Sequence, residues 1–175
     1  MKKKFLDTTL YISSFIPLYF LIIIKESIEI ANGNLTFNIT NSIMLCLNFL
    51  LIILGVLGVI IAFKQKPIKT ITLIDQKNIT RQNFLPYFPL FVLFAIAFEL
   101  EFISMAVVYV LILVMVGLVY IKNSLFDINP FLNIIGFSTY EIQYKNKNDE
   151  IVSEKVFIFG KLKSDTIKTN SLFIK

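Results

Sequence analysis

Glu99 and Glu101 stand either side of one leucine between two long apolar stretches, and carboxylates in such a place are the first candidates for proton or ion chemistry. At a turn between two helices both reach water, so a solvated outer turn is the stronger reading and an ion pathway the weaker one. Asn48 is the second candidate, because an amide inside an apolar run either hydrogen-bonds across helices or lines a polar path. Further along the same run Gly55, Gly58 and Ala62 recur at i, i+3 and i+7 and leave a smooth face for a second backbone. Helix packing, within a bundle or between protomers, is the preferred reading of all four. The third group is basic: Lys64, Lys66, Lys69, Lys77 and Arg81 face Asp75 alone, a net charge of +4 over 64–83. Attraction to anionic lipid, ~1 kcal/mol per basic residue, accounts for this charge first. Docking to the rest of the chain comes second, and direct nucleic-acid binding a distant third.

Counting excludes most other chemistry. The 175 residues contain no His and no Trp, and the single cysteine, Cys46, sits in an apolar run. Disulfide frameworks, His-based metal sites and His-dependent triads are ruled out. No Gly-rich phosphate loop and no GxSxG occurs. The expectation is therefore a protein that is not an enzyme, with no catalytic, cofactor-binding or metal-ligating residues.

The elements that position these groups follow from apolarity. Hydrophobic residues make up 56% of the chain and charged ones 17%, against roughly 25% charged in soluble domains. A crossing of ~30 Å at 1.5 Å per residue requires about 20 apolar residues. Four segments qualify or nearly so, at about 8–24, 42–63, 84–98 and 102–121, with the third short enough that the last two could form a tight hairpin. With four crossings, 16 of the 17 basic residues fall on one side and only Lys25 on the other, where Glu26, Glu29, Glu99 and Glu101 lie. The positive-inside rule then puts both termini in the cytoplasm and the chain in a bacterial inner membrane.

The segments between the spans are short. Residues 26–41 form an outer loop in which Leu35–Thr40 alternates like a strand. Ile68–Ile74 in the basic linker also alternates, and pairing with strands of the tail is one use for it. After Lys122 the composition changes: Asn129-Pro130 marks a break, Phe131–Ile135 is a short apolar turn, and strands are expected around Tyr140–Tyr144, Ile151–Phe159, 166–168 and 172–174. The fold class is an α-helical membrane protein, with a four-helix transmembrane domain at 1–122 and a small cytoplasmic β-domain at 123–175. So small a β-domain needs support from the linker, another protomer or a partner.

The stretch Asn129-Pro130-Phe131-Leu132-Asn133-Ile134-Ile135-Gly136-Phe137-Ser138-Thr139-Tyr140-Glu141, following four apolar segments, resembles the small four-pass membrane proteins of anti-phage defence, the KwaA family of the Kiwa system. The resemblance implies a homo-oligomeric membrane sensor working with a cytosolic DNA-binding effector, KwaB, and carries no catalytic residue onto this chain. The leading expectation is thus an oligomeric sensor or scaffold that couples membrane perturbation to a cytosolic effector. The rival is an oligomeric pore, with Glu99, Glu101 or Asn48 along its path.

Overall fold

The structure is a computed structural model and describes residues 2–33, 38–64, 71–80, 88–97, 102–123, 125, 128–145, 149–160, 166–167 and 172–174. Its helices are α1 (Lys2–Ser14), α2 (Ile16–Ala31), α3 (Ile39–Lys64), α4 (Phe88–Ala97), α5 (Ile103–Lys122) and α6 (Pro130–Ile134). The strands are β1 (Ile71–Asn78), β2 (Phe137–Lys145), β3 (Ile151–Phe159), β4 (Thr166–Ile167) and β5 (Leu172–Ile174).

The first apolar segment, expected as one helix, is two helices bent by 43° at Phe15. Pro17 causes the break. It has no N–H to offer the Ser13 carbonyl four residues back, and its ring crowds that carbonyl. Past the bend α2 continues to Ala31, so Lys25, Glu26 and Glu29 are helical and not part of an outer loop. Glu26 is buried.

The second segment starts earlier than expected because Asn38 caps it, its side-chain oxygen accepting from the Asn41 N–H at 2.9 Å. Ile39 and Thr40, expected to finish a strand, are instead the first turn of α3. Leu35, Thr36 and Phe37 lie outside the described residues. Among the described residues, α3 and α5 are long and apolar enough to cross a membrane, and α1–α2 makes a third span if the bent pair is one crossing. Within the expected 84–98 segment, α4 is described over ten residues. That length is about 15 Å, roughly half the hydrocarbon thickness.

α1 and α2 pack along α3, while α2 also meets α4 and α1 meets α5. Leu18, Tyr19, Ile22, Ala62 and Tyr109 are the centre of the bundle, each at most 2% exposed. Leu57, Val114, Met115 and Leu118 point outward and are exposed, as a surface bathed in lipid requires.

The strands form one antiparallel sheet in the order β4-β1-β2-β3-β5. β1, from the basic linker, thus sits inside the tail's sheet, paired through Gln76↔Ile142 and Lys77↔Glu141 with a bulge between Leu73 and Asp75. Glu141 also faces Lys155 across β3, so opposite charges alternate along this row. Tyr140, Ile142, Tyr144 and Val156 build a second small core on one face. Tyr144 donates to Glu154 at 3.0 Å, and burial followed by that hydrogen bond pushes its pKa up. On the other face Phe157 is fully buried and joins the bundle core with Leu132. Phe137 stacks on Phe63 at 4.7 Å between ring centres, which docks the sheet on the end of α3.

Candidate functional site

The small-residue face of α3 is where α1 comes closest. A Cβ on Gly58 would lie 2.3 Å from the Thr9 Cβ, and one on Gly55 would lie 3.0 Å from the Ser13 Cα. Only hydrogen fits at Gly58, and a methyl at Gly55 would have to push its neighbours aside by a few tenths of an ångström. Ala62, one turn on, is 1% exposed. The face is therefore occupied within the chain, which leaves the opposite faces of α3 and α5 for any contact between protomers.

Asn48 lies on the same helix and is fully buried. Its Nδ2 donates to the Met44 carbonyl at 2.8 Å, and its Oδ1 accepts from the Tyr109 hydroxyl at 2.6 Å. The amide thus ties α3 to α5. Tyr11 donates to the Leu113 carbonyl, and its ring rests on Gly117, where a Cβ would meet it at 2.8 Å.

At the α1–α2 bend a polar seam closes around the carbonyl of Leu10. Ser13 and Ser14 donate to it at 2.8 and 2.9 Å, and Asn129 Nδ2 approaches it at 3.3 Å while donating to Ser13 Oγ at 2.8 Å. These donors converge on one carbonyl just ahead of the bend, and in an apolar surrounding polar side chains must find such partners. Asn129 also caps α6, its Oδ1 accepting from the Leu132 N–H at 3.1 Å, with Pro130 in the first turn. One buried side chain therefore holds both the bend and the start of the sheet domain. Ser14 Oγ also lies 2.7 Å from the Tyr120 hydroxyl, so its one proton is shared between Leu10 and Tyr120, and Tyr120 donates to the Ile128 carbonyl at 2.7 Å, which joins the end of α5 to the same seam.

Beside the seam lies an apolar cavity of about 260 Å³. Phe15 and Leu18 wall it from one side, Ile112 and Val116 from α5, Phe94 from α4, and Ile128 closes its end.

Of the residues singled out from sequence, Asn48, Gly55, Gly58 and Ala62 gather on the inner face of α3, as described above. Lys77 is exposed on β1, whereas Lys66, Lys69, Arg81, Glu99, Glu101 and the side chain of Lys64 lie outside the described residues. Lys25 reaches the Ile96 carbonyl near the end of α4 at 3.5 Å. Sequence reasoning gave no site role to Ser13, Ser14, Tyr109, Tyr120 or Asn129, and read Asn129-Pro130 only as a break. The Asn-Pro pair was the available signal, since it is a helix cap followed by a first-turn proline.

A family model described as anti-phage protein KwaA matches residues 6–173, taking in the bend, the spans, the Asn129 junction and the sheet. The chain belongs to the KwaA anti-phage family. Membership of KwaA gives it a role in phage defence, within a system that has other components. Beyond KwaA, no curated protein and no solved structure matches the chain.

Proposed function

We propose that this chain is a non-enzymatic sensor or scaffold of the bacterial inner membrane, oligomeric, that passes a membrane perturbation to a cytosolic effector during phage defence. Four apolar segments lie in the bilayer in this reading, with both termini and the sheet in the cytoplasm. The charge asymmetry supports that topology, as does Lys25 reaching the end of α4. The observation that carries the reading is the double use of Asn129, whose amide grips the α1–α2 bend while its oxygen caps the helix leading to the sheet. A shift of the bend displaces the cap and with it the sheet. The basic linker contributes β1, with the exposed Lys77, to that sheet, so linker and tail offer one surface to the partner, a DNA-binding effector of the KwaB kind.

The test is native mass spectrometry of the detergent-extracted protein co-expressed with the products of its neighbouring genes, followed by phage challenge of the Asn129→Ala variant. The expected result is a defined oligomer carrying a soluble DNA-binding protein, with Asn129→Ala keeping the oligomer but losing protection. A monomer that carries nothing, or full protection with Asn129→Ala, sinks the proposal.

A further inference from the structure

We infer that the cavity beside the bend holds one acyl chain of a membrane phospholipid, and that its filling sets the position of the segment leading into the sheet. This inference rests on the sensor reading and names what is sensed. The walls contributed by Phe15, Leu18, Phe94, Ile112 and Val116 are hydrocarbon. The three hydroxyls at its edge are already engaged: Tyr109 with Asn48, Tyr120 with Ile128, and Ser14 with Leu10. Water requires two to four polar partners to occupy a buried site, whereas a dry apolar cavity of only ~150 Å³ already takes up a benzene-sized guest. At about 260 Å³ this cavity is larger than that.

The surroundings select the guest. The cavity is open on one side, and Val119 at its mouth is 55% exposed on a helix apolar enough to span a membrane. Lipid tails are what the apolar surface of such a helix meets, and a tail entering sideways regains the dispersion contacts that an empty space forfeits. Leu125 and Ile128, which follow α5, and Pro130, which opens α6, also line it. An acyl chain pressing on Ile128 therefore acts one residue from Asn129. Thinning, stretching or reordering of the bilayer changes how well the cavity is filled, and the cap of α6 registers the change.

The experiment reconstitutes the full chain in phosphatidylethanolamine and phosphatidylglycerol vesicles doped with a phospholipid that carries a photoreactive diazirine in its acyl chain, then maps adducts by peptide mass spectrometry. Adducts are expected on Leu18, Val116 and Leu125 above the level on the outward residues Met115 and Leu118. Val116→Phe, which fills the space, is expected to lower the adducts on Leu18 and Leu125 by about tenfold, the factor corresponding to roughly 1.4 kcal/mol of overpacking. Val116→Ala is expected to keep them. Unchanged adducts on Met115 and Leu118, with unchanged helical circular dichroism, show that the variant is folded; if Val116→Phe fails that check, Ile112→Phe takes its place. Adducts spread evenly over α5, or unaffected by filling, overturn the site. Capture of the effector is scored separately, so loss of the sensor reading and loss of the lipid site are told apart.

Discussion

α3 and α5 are both apolar enough to span a membrane, yet α1 is held to them in opposite ways. Against α3 it lies backbone to backbone, because Gly55 and Gly58 remove the side chains that would keep it away. Against α5 it is held at the length of tyrosine side chains, by Tyr11 on Leu113 and Gly117 and by Ser14 on Tyr120. Helices in lipid gain nothing from excluding water, so close packing and interhelical hydrogen bonds are the two means available. Close packing draws α1 onto α3, whereas on the α5 side Ser14, Phe15 and Leu18 stand off from Ile112 and Val116, and the 260 Å³ cavity lies between them.

The comparison breaks most readily at its tight side. Gly58→Val forces a side chain into the Thr9 Cβ, an atom fixed to the α1 backbone, and is expected to cost about 1–3 kcal/mol. Unfolding in mixed micelles titrated with a denaturing detergent measures this, and a variant as stable as the parent would remove the α1–α3 contact. Next in size is the Asn48–Tyr109 bond. A double-mutant cycle of Asn48→Leu and Tyr109→Phe is expected to give a coupling of about 0.6–1.7 kcal/mol, the range of interhelical hydrogen bonds in membranes. A coupling of zero would mean that this bond does not tie α3 to α5. The smallest effect is expected from Gly117→Ala, at or below about 1 kcal/mol, since the added methyl meets a ring that can tilt and not a backbone. A Gly117→Ala loss equal to that of Gly58→Val would show the two sides to be equally tight.

Apolarity made the helices legible, since spans near 42–63 and 102–121 need only a count of hydrocarbon. The strand Ile151–Phe159 was legible to the residue from its β-branched and aromatic run, and the strand expected at Ile68–Ile74 coincides with β1 over 71–74, residues 68–70 lying outside the described ones. The bend was also written in the sequence, in Pro17, but an unbroken apolar run conceals a kink because length and hydropathy ignore the missing N–H. The small residues of α3 showed a close approach without naming the neighbour, and α1 takes that place. The seam was not legible. Ser13, Ser14, Tyr120 and Asn129 acquire their roles from partners about a hundred residues away, and no local spacing marks such pairs.

The place of β1 in the sheet has a consequence for biogenesis. Its partner β2 follows only after α4 and α5, so Gln76 waits for Ile142 while the intervening segments are synthesised and inserted. During that interval both edges of β1 are open, and long-range pairing of this sort is slow to form and exposed to aggregation. The sheet therefore closes only on a chain whose last helix is already in place. A truncation ahead of β2 would leave a bare strand on the linker, whereas a paired β1 marks a chain synthesised past α5.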